Sequence, residues 1–207
     1  MSVFYVMVAV LVIGIIILTN AIVKKRRRYL NIQRRLAAGA RGEDRVQEKI
    51  MAIMPKDALL FRNLYLPTTS GTTEIDLLLI TRKKIFIFEV KNYRGRITGS
   101  YRKHDWKQYH HVYGCRYFYN PVWQNEGHIR AFLNLFPEIS PAKVCSYVVF
   151  TGNCELAHIH VRRRIARVIT DAALEKRFRR DSFFARRFLS YGELMTLKDA
   201  LTPYSRS

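Results

Sequence analysis

Two β-rich runs separated by a short loop constrain this chain more than any other feature of its sequence. Residues 72–81 and 84–91 are rich in Ile, Leu, Val, Phe and Thr, and an Arg-Lys pair at 82–83 separates them. A two-residue loop predicts an antiparallel hairpin, and the loop fixes the register of the two strands. In that register Asp76 lies directly opposite Glu89. A four-residue loop would give the same pairs, whereas a loop of odd length would not.

Opposed carboxylates of this kind need a compensating charge. The Cβ atoms of directly opposed residues are about 4.5–5.5 Å apart, and like charges at that distance destabilise a sheet. A divalent cation such as Mg²⁺ or Mn²⁺ would compensate them, because both ions prefer carboxylate oxygens. Lys91 lies two residues beyond Glu89 on the same face, where it could contact a water or a phosphate near the metal. The same register places Glu74 opposite Lys91.

A solvent-facing ladder of charges is the alternative interpretation of this hairpin. Against it, both carboxylates lie at the end of an apolar stripe on their strand. The stripe residues are Leu78, Ile80, Ile85 and Ile87. A charge that ends an apolar stripe is expensive to bury without a partner, so the stripe favours a functional site.

A third carboxylate is found in the segment before the hairpin. Residues 29–54 predict a helix that is ended by Pro55, with an apolar stripe along one side. Glu43 lies on that stripe. It is either a residue at the edge of the stripe or a third acid directed at the same site.

The rest of the chain predicts a mixture of strands and helices. Strands are expected at 58–66, 96–101, 143–150, 157–161 and 167–170, and a strand or a hairpin with a bend at Gly114 is expected at 106–119. Asn120 and Pro121 predict the start of a helix, and Ser190 with Glu193 forms a capping box for the last of two C-terminal helices. This order predicts an α/β or α+β fold in which a mixed sheet is covered by helices, with the apolar 143–150 run at its centre.

The first 23 residues contain no charged side chain. As a helix, residues 3–23 would span about 31 Å, close to the ~30 Å of a bilayer core. A cleaved signal peptide would have a basic N-terminal region and a shorter apolar stretch, and a buried core helix is the remaining alternative. We expect residues 1–23 to form a single transmembrane helix.

Basic residues follow this segment at once. They are Lys24, Lys25, Arg26, Arg27 and Arg28. Positive residues that flank a single span stay on the cytoplasmic side, which predicts a single-pass protein of the cell membrane with its N-terminus outside and its C-terminal domain in the cytoplasm.

The chain as a whole is strongly basic. It has 36 Lys and Arg against 16 Asp and Glu, a net charge of +20, which points to nucleic acid or an anionic membrane as a partner. A second basic block contains Arg162, Arg163 and Arg164, and it also includes Arg167 and residues 176–180. Both blocks could contact lipid head groups or nucleic-acid phosphates, and the second could also be an ordinary solvated surface.

Several motifs occur in an order that resembles a known family. They are Gly42-Glu43, Glu74-Ile75-Asp76, Glu89-Val90-Lys91-Asn92, Gly95, Trp106 and Asn120-Pro121-Val122-Trp123-Gln124. The set is similar to the nuclease-related domain family, called NERD, which is itself similar to PD-(D/E)XK nucleases. The resemblance implies a restriction-endonuclease-like fold, a mixed β-sheet flanked by helices. Ile75 replaces the usual proline before the aspartate.

The resemblance also implies roles for the central residues. Asp76 and Glu89 would bind Mg²⁺ or Mn²⁺, and Val90 would add its backbone carbonyl. Lys91 would orient the attacking water or stabilise charge in the transition state.

Two further roles and the bounds of the nuclease-like domain follow from the same resemblance. Glu43 would complete the acidic site, as a possible metal ligand, and Gln124 would support the site from the second helix. The expected organisation is a transmembrane helix, a basic juxtamembrane segment at 24–36, a nuclease-like domain at 37–155 and a basic, mainly helical extension at 156–207.

Two functions are compatible with these features. One is a membrane-anchored, Mg²⁺- or Mn²⁺-dependent nuclease, and the other is a non-catalytic anchored module that binds nucleic acid, lipid or protein.

The sequence lacks a Gly-rich phosphate loop, so a nucleotide cofactor is not expected. His158 and His160 with Cys154 are a weak zinc pattern, because no CxxC or HExxH accompanies them.

Overall fold

The computed structural model describes residues 2–112, 114–183 and 185–205. It does not describe the side chains of residues 2–6, 9–14, 16 and 35. The chain divides into two compact units, residues 1–40 and 41–207.

The first unit is helical. Helix α1 is Ser2–Ile53, and within residues 1–40 the described side chains of Ile17, Leu18 and Ile22 are exposed. The five basic residues Lys24, Lys25, Arg26, Arg27 and Arg28 are exposed as well.

The predicted transmembrane helix is not supported by the structure. Residues 2–23 are helical, as expected, but much of the predicted span lies outside the described side chains. In the part of the chain that the structure describes, no helix combines the length and the apolar character needed to cross a membrane.

The second unit contains the strands and the remaining helices. The strands are β1 Leu59–Thr68, β2 Gly71–Ile80, β3 Ile85–Asn92, β4 Gly95–Ser100, β5 Asp105–His110, β6 Gly114–Tyr119, β7 Val144–Thr151, β8 Cys154–His160 and β9 Arg167–Thr170. The helices are the end of α1, α2 Pro121–Leu135, α3 Leu174–Phe183 and α4 Tyr191–Leu201.

The first sheet has the strand order β1-β2-β3-β7-β9. Strands β1, β2 and β3 are antiparallel, whereas β3, β7 and β9 run parallel, so the sheet is mixed. The predicted hairpin register is confirmed by the pairs Leu77–Phe88, Leu78–Ile87, Leu79–Phe86 and Ile80–Ile85. Strand β7, predicted to be central, lies between β3 and β9 and is almost wholly buried.

Helices cover both faces of this sheet, because both faces of its middle strands are apolar. On one face, Leu78 and Ile87 pack against Phe132 of α2 and Leu197 of α4. The other face packs against α1 and α3; its core residues include Val46, Ile50, Leu77, Phe88 and Phe178. Asp76 is two residues from Leu78, and Glu89 is two residues from Ile87. Residues two apart on a strand share a face, so both acids lie on the side of α2.

A second sheet is present where a single sheet was expected, with the order β6-β5-β4-β8. Gly95 makes the turn between β3 and β4 possible, since its φ is +84° and a Cβ there would lie 2.1 Å from the carbonyl oxygen of Tyr109. Trp106 and Phe150 stack across the two sheets, with ring centroids 6.2 Å apart. The fold is therefore α+β, with two mixed sheets flanked by helices, which fits a nuclease-like architecture.

The helix starts agree with the capping predictions. Asn120 accepts a hydrogen bond from the backbone N–H of Val122 at 3.0 Å, and Pro121 occupies the first turn of α2. Ser190 and Glu193 form the predicted reciprocal capping box of α4.

Candidate active site

The site begins where the β2–β3 ladder ends. Main-chain pairing stops at Leu77–Phe88, although both strands continue. Beyond that point the Asp76 side chain replaces a main-chain acceptor: its Oδ2 accepts a hydrogen bond from the backbone N–H of Val90 at 2.7 Å. The N–H and C=O of a strand residue point to the same side, so the Val90 carbonyl also faces the opening between the strands.

Glu89 is the most deeply buried charge of the site, with 1% of its surface exposed. Its Oε1 forms an ion pair with Lys91 Nζ, and its Oε2 lies 3.0 Å from His128 Nε2. Lys91 Nζ also donates to Oε1 of Gln124 at 3.0 Å. Glu89, Lys91 and Gln124, three of the residues predicted from the sequence, thus form one connected network. The expected Glu74–Lys91 pair does not form, because the ladder ends before reaching it.

His128 is a site residue that the sequence analysis missed. It is buried on α2, and its Nδ1 lies 2.8 Å from Oγ1 of Thr73 on β2. It therefore connects β2 to Glu89 on β3. The available signal was its spacing: His128 follows Gln124 by four residues, which puts both on the same side of a helix.

Two asparagines hold α2 against the sheets. Asn120 Nδ2 donates to the carbonyl oxygen of Lys103 at 2.8 Å, close to the start of β5. Asn125 Nδ2 donates to the carbonyl of Ile87 at 3.0 Å and to Ser146 Oγ at 2.9 Å. These bonds fix the position of α2. Gln124 and His128 of this helix can therefore reach Lys91 and Glu89.

Burial and charge perturb the acids of the site. The pKa of Asp76 is raised well above its usual value by burial and by the nearby Glu89 carboxylate, against the opposing effects of the Val90 N–H and Lys91. Burial would lower the pKa of Lys91, but the Glu89 carboxylate outweighs it and raises that pKa, so the ammonium stays charged. The ionised form of Asp76 is therefore disfavoured by burial and by a second carboxylate.

Glu43 lies beside this pair and is tied to another cation. Its Oε2 is 3.3 Å from Nη2 of Arg62 on β1, a residue that the sequence analysis did not single out. Burial raises the pKa of Glu43, and the charge of Glu43 in turn contributes to the raised pKa of Asp76, so the two acids interact electrostatically. Gly42 lets α1 approach closely here, since a Cβ would lie 2.9 Å from Asn92 Cβ.

The oxygen ligands of this site suit a hard divalent cation, although the described side chains do not form a complete metal cluster. Asp76, Glu89 and the Val90 carbonyl offer oxygen atoms, and burial together with the Glu89 carboxylate raises the pKa of Asp76. Among the residues that the structure describes, no group of three or more His, Cys, Asp and Glu is arranged to hold a metal. That holds for the His158, His160 and Cys154 pattern too.

The basic residues named in the sequence analysis lie at the surface. Arg162, Arg163 and Arg164 are exposed in the connection between β8 and β9. No described hydrogen bond or ion pair joins them to Asp76, Glu89 or Lys91.

Comparisons with known proteins identify a family and a relative. The nuclease-related domain family matches residues 38–151. An uncharacterized protein of Bacillus anthracis is 29% identical over 168 residues, which cover 80% of this chain and 74% of the relative. No solved structure gives a significant match.

Proposed function

Because this chain belongs to the nuclease-related domain family, we propose that it hydrolyses phosphodiester bonds of nucleic acid with the help of Mg²⁺ or Mn²⁺. The observation that carries the proposal is the open end of the β2–β3 hairpin. Two acids lie there on the α2 side of the sheet, Lys91 forms an ion pair with one of them, and the pKa of Asp76 is raised by burial and by the nearby Glu89 carboxylate.

The residues that would hold the cation are Asp76, Glu89 and the backbone carbonyl of Val90. When bound, the metal supplies Lewis acidity, which lowers the pKa of a water and neutralises charge on the phosphate. Glu43 adds negative charge at the edge of the site, and Arg62 holds its side chain in place.

Lys91 supplies a fixed positive charge for the reacting phosphate. Gln124 accepts one of its hydrogen bonds and Glu89 forms an ion pair with it, so the ammonium is positioned before substrate arrives. Such preorganised charge is most effective where negative charge develops in the transition state. His128 is a positioning residue, because it orients Glu89 from the opposite side.

The test is a cleavage assay on the full-length protein with labelled DNA and RNA, single- and double-stranded. Mg²⁺ or Mn²⁺ should produce cleavage and EDTA should stop it. Asp76→Ala should abolish it, whereas Asp57→Ala, which changes an aspartate outside the site, should leave it intact. The absence of metal-dependent cleavage of every substrate would refute the proposal.

A non-catalytic binding module is the second candidate, and one observation favours it. Both carboxylate oxygens of Glu89 are already engaged, one by Lys91 and the other by His128. A protein of this kind would bind nucleic acid in EDTA and cut none in metal.

We also propose that the exposed Arg162, Arg163 and Arg164 contact the phosphate backbone. Neutralising them together should weaken binding. The slope of log affinity against log salt concentration should fall by the equivalent of up to about three phosphate contacts. Turnover at saturating substrate should stay largely unchanged, because the block is not part of the site. Unchanged binding would show that these three arginines do not contact the nucleic acid.

Location at the cytoplasmic face of the cell membrane is a separate proposal, supported by the sequence. Residues 1–23 are uncharged, and the basic cluster at 24–28 follows them directly. The cluster also suits anionic lipid head groups. If residues 1–23 anchor the chain, carbonate extraction should leave it in the membrane, and a C-terminal reporter should be active in the cytoplasm. Release of the intact protein by carbonate would refute the anchor.

A further inference from the structure

The second sheet has an outer face covered with exposed tyrosines. Tyr109 on β5 and Tyr117 and Tyr119 on β6 are 41%, 61% and 46% exposed. The register places them on one face, since Tyr109 pairs with Cys115 and Tyr117 pairs with Lys107. We call these three residues the tyrosine face.

The core does not require this face. The opposite side of the same two strands carries Trp106, which is fully buried, and Phe118, which packs against Trp106 and Phe150. The hairpin thus buries one face in the ordinary way and leaves three partly exposed aromatic rings on the other, where the Tyr119 ring lies 5.0 Å from the His104 ring. Exposed aromatic clusters of this kind mark binding surfaces.

The shape and charge around the tyrosine face suit a polyanion. A concavity of about 820 Å³ lies on this side of the sheet, and its lining includes Arg96, Tyr109 and Glu155, with Arg96 Nε 3.4 Å from Glu155 Oε2 in an exposed ion pair. The Nζ of Lys107 lies 5.3 Å from the centre of the Tyr117 ring. Residues 94–119 contain six Lys or Arg and one Asp or Glu.

We propose that the tyrosine face binds single-stranded nucleic acid and delivers it to the site at Asp76 and Glu89. Tyr117 and Tyr119 are two residues apart on a strand, a spacing of roughly 6.8 Å that successive unstacked bases can match. Bases stack on the tyrosine rings, while Lys107 and Arg96 contact phosphates. In a duplex the base faces are already stacked on each other, so the rings have nothing to bind.

This inference rests on the proposed nuclease function and specifies its substrate as a single strand. The chain itself links the two regions, because Lys91 is followed four residues later by Gly95, which lines the concavity. Four residues span at most about 14 Å. A strand held on the tyrosine face therefore lies within a few nucleotides of the hairpin's open end.

The experiment measures binding alone, by fluorescence anisotropy in EDTA with the full-length protein. The probes are labelled oligo-dT, oligo-rU and a DNA duplex of the same length. The wild type should bind a single strand more tightly than the duplex, and the dT and rU arms show which backbone it prefers. Tyr117→Ala and Tyr109→Ala should each weaken single-strand binding at least about fivefold, the low end for loss of one stacked base.

Two variants serve as controls for the ring and for the surface. Tyr117→Phe keeps the ring and should bind nearly as the wild type does. Tyr191→Ala removes a tyrosine that is 58% exposed on α4 and should change nothing. Thermal melting of each variant identifies any that fails to fold. If a tyrosine-to-alanine variant fails to fold, comparing the single-strand affinities of Tyr117→Phe and Lys107→Ala tests the face with every ring kept.

The outcome separates this inference from the proposed function. Single-strand binding that depends on the tyrosines, in a protein that cuts nothing, would support the face and refute the nuclease. Equal affinity for the duplex and the single strand would overturn the inference, and so would wild-type binding by both alanine variants. No nucleic-acid binding at all would also overturn the inference, and a protein would then be the partner to test for the tyrosine face.

Discussion

The β2–β3 hairpin has two ends that share the same strands and the same face but hold opposite chemistry. At the turn end Leu78 pairs with Ile87, the main-chain ladder is complete and both side chains are buried. At the open end the ladder has stopped, and Asp76 hydrogen-bonds to the backbone of Val90 instead. The neighbouring Glu89 carries its charge almost entirely out of contact with water.

The difference teaches where the fold gains stability and where it loses it. Burying apolar side chains at the turn end stabilises the sheet, whereas two nearby acids at the open end destabilise it. Sequences break local rules chiefly at functional sites, so the open end is where function is expected.

The largest effect is expected at the turn end. Leu78→Ala should lower the free energy of unfolding by about 2–5 kcal/mol, because it leaves a cavity in a fully buried cluster. Urea unfolding of the full-length protein measures this. Met51→Ala, at an exposed apolar residue, should change stability by less than about 0.5 kcal/mol. A loss below 1 kcal/mol for Leu78→Ala would show that the turn end does not carry the stability assigned to it.

A divalent cation should act at the open end. If Mg²⁺ or Mn²⁺ binds the folded state alone, a concentration of 100 times Kd stabilises it by about 2.7 kcal/mol, or roughly 5–10 °C in Tm. Asp76→Asn should lose most of that shift. Asp57→Asn changes an aspartate near Arg82 at the turn end and should keep it. The same shift in both variants would place the cation elsewhere.

Without metal, Asp76→Asn should stabilise the protein at neutral pH. The pKa of Asp76 is raised in the folded state, so the wild type loses stability as pH rises from the ordinary value of 3.8 through the folded value. The variant lacks this loss and can still accept the Val90 hydrogen bond. Its advantage should appear in EDTA near pH 8 and vanish below pH 3.8, a difference that urea unfolding at the two pH values detects. A wild type at least as stable as the variant at pH 8 would contradict the proposed cost of burying the ionised Asp76 carboxylate beside Glu89.

The hairpin shows which parts of the fold could be predicted from the sequence. Alternation and loop length are local properties, so they predicted the register of the paired residues and the face that Asp76 and Glu89 share. The early end of the ladder could not be predicted, because it depends on contacts made by other elements. The hydrogen bond from Val90 to Asp76 appears only once the strands have separated.

The partners of the acids were harder to predict than the acids. His128 reaches Glu89 only because Asn120 and Asn125 hold α2 in one position, and Arg62 reaches Glu43 from β1, the strand that follows α1. Such contacts are tertiary and leave only weak spacing signals. The division into two sheets depends in the same way on the turn at Gly95.

The central claim is that the open end of the hairpin cuts nucleic acid, and the most direct test compares its lysine with a lysine at the turn end. Lys91→Ala and Lys84→Ala each remove one positive charge, so binding in EDTA should fall slightly and equally in both. With Mg²⁺ or Mn²⁺ at saturating substrate, Lys91→Ala should slow single-turnover cleavage by about 10²–10³-fold, while Lys84→Ala should cut at nearly the wild-type rate. Equal cleavage rates for the two variants would contradict the account.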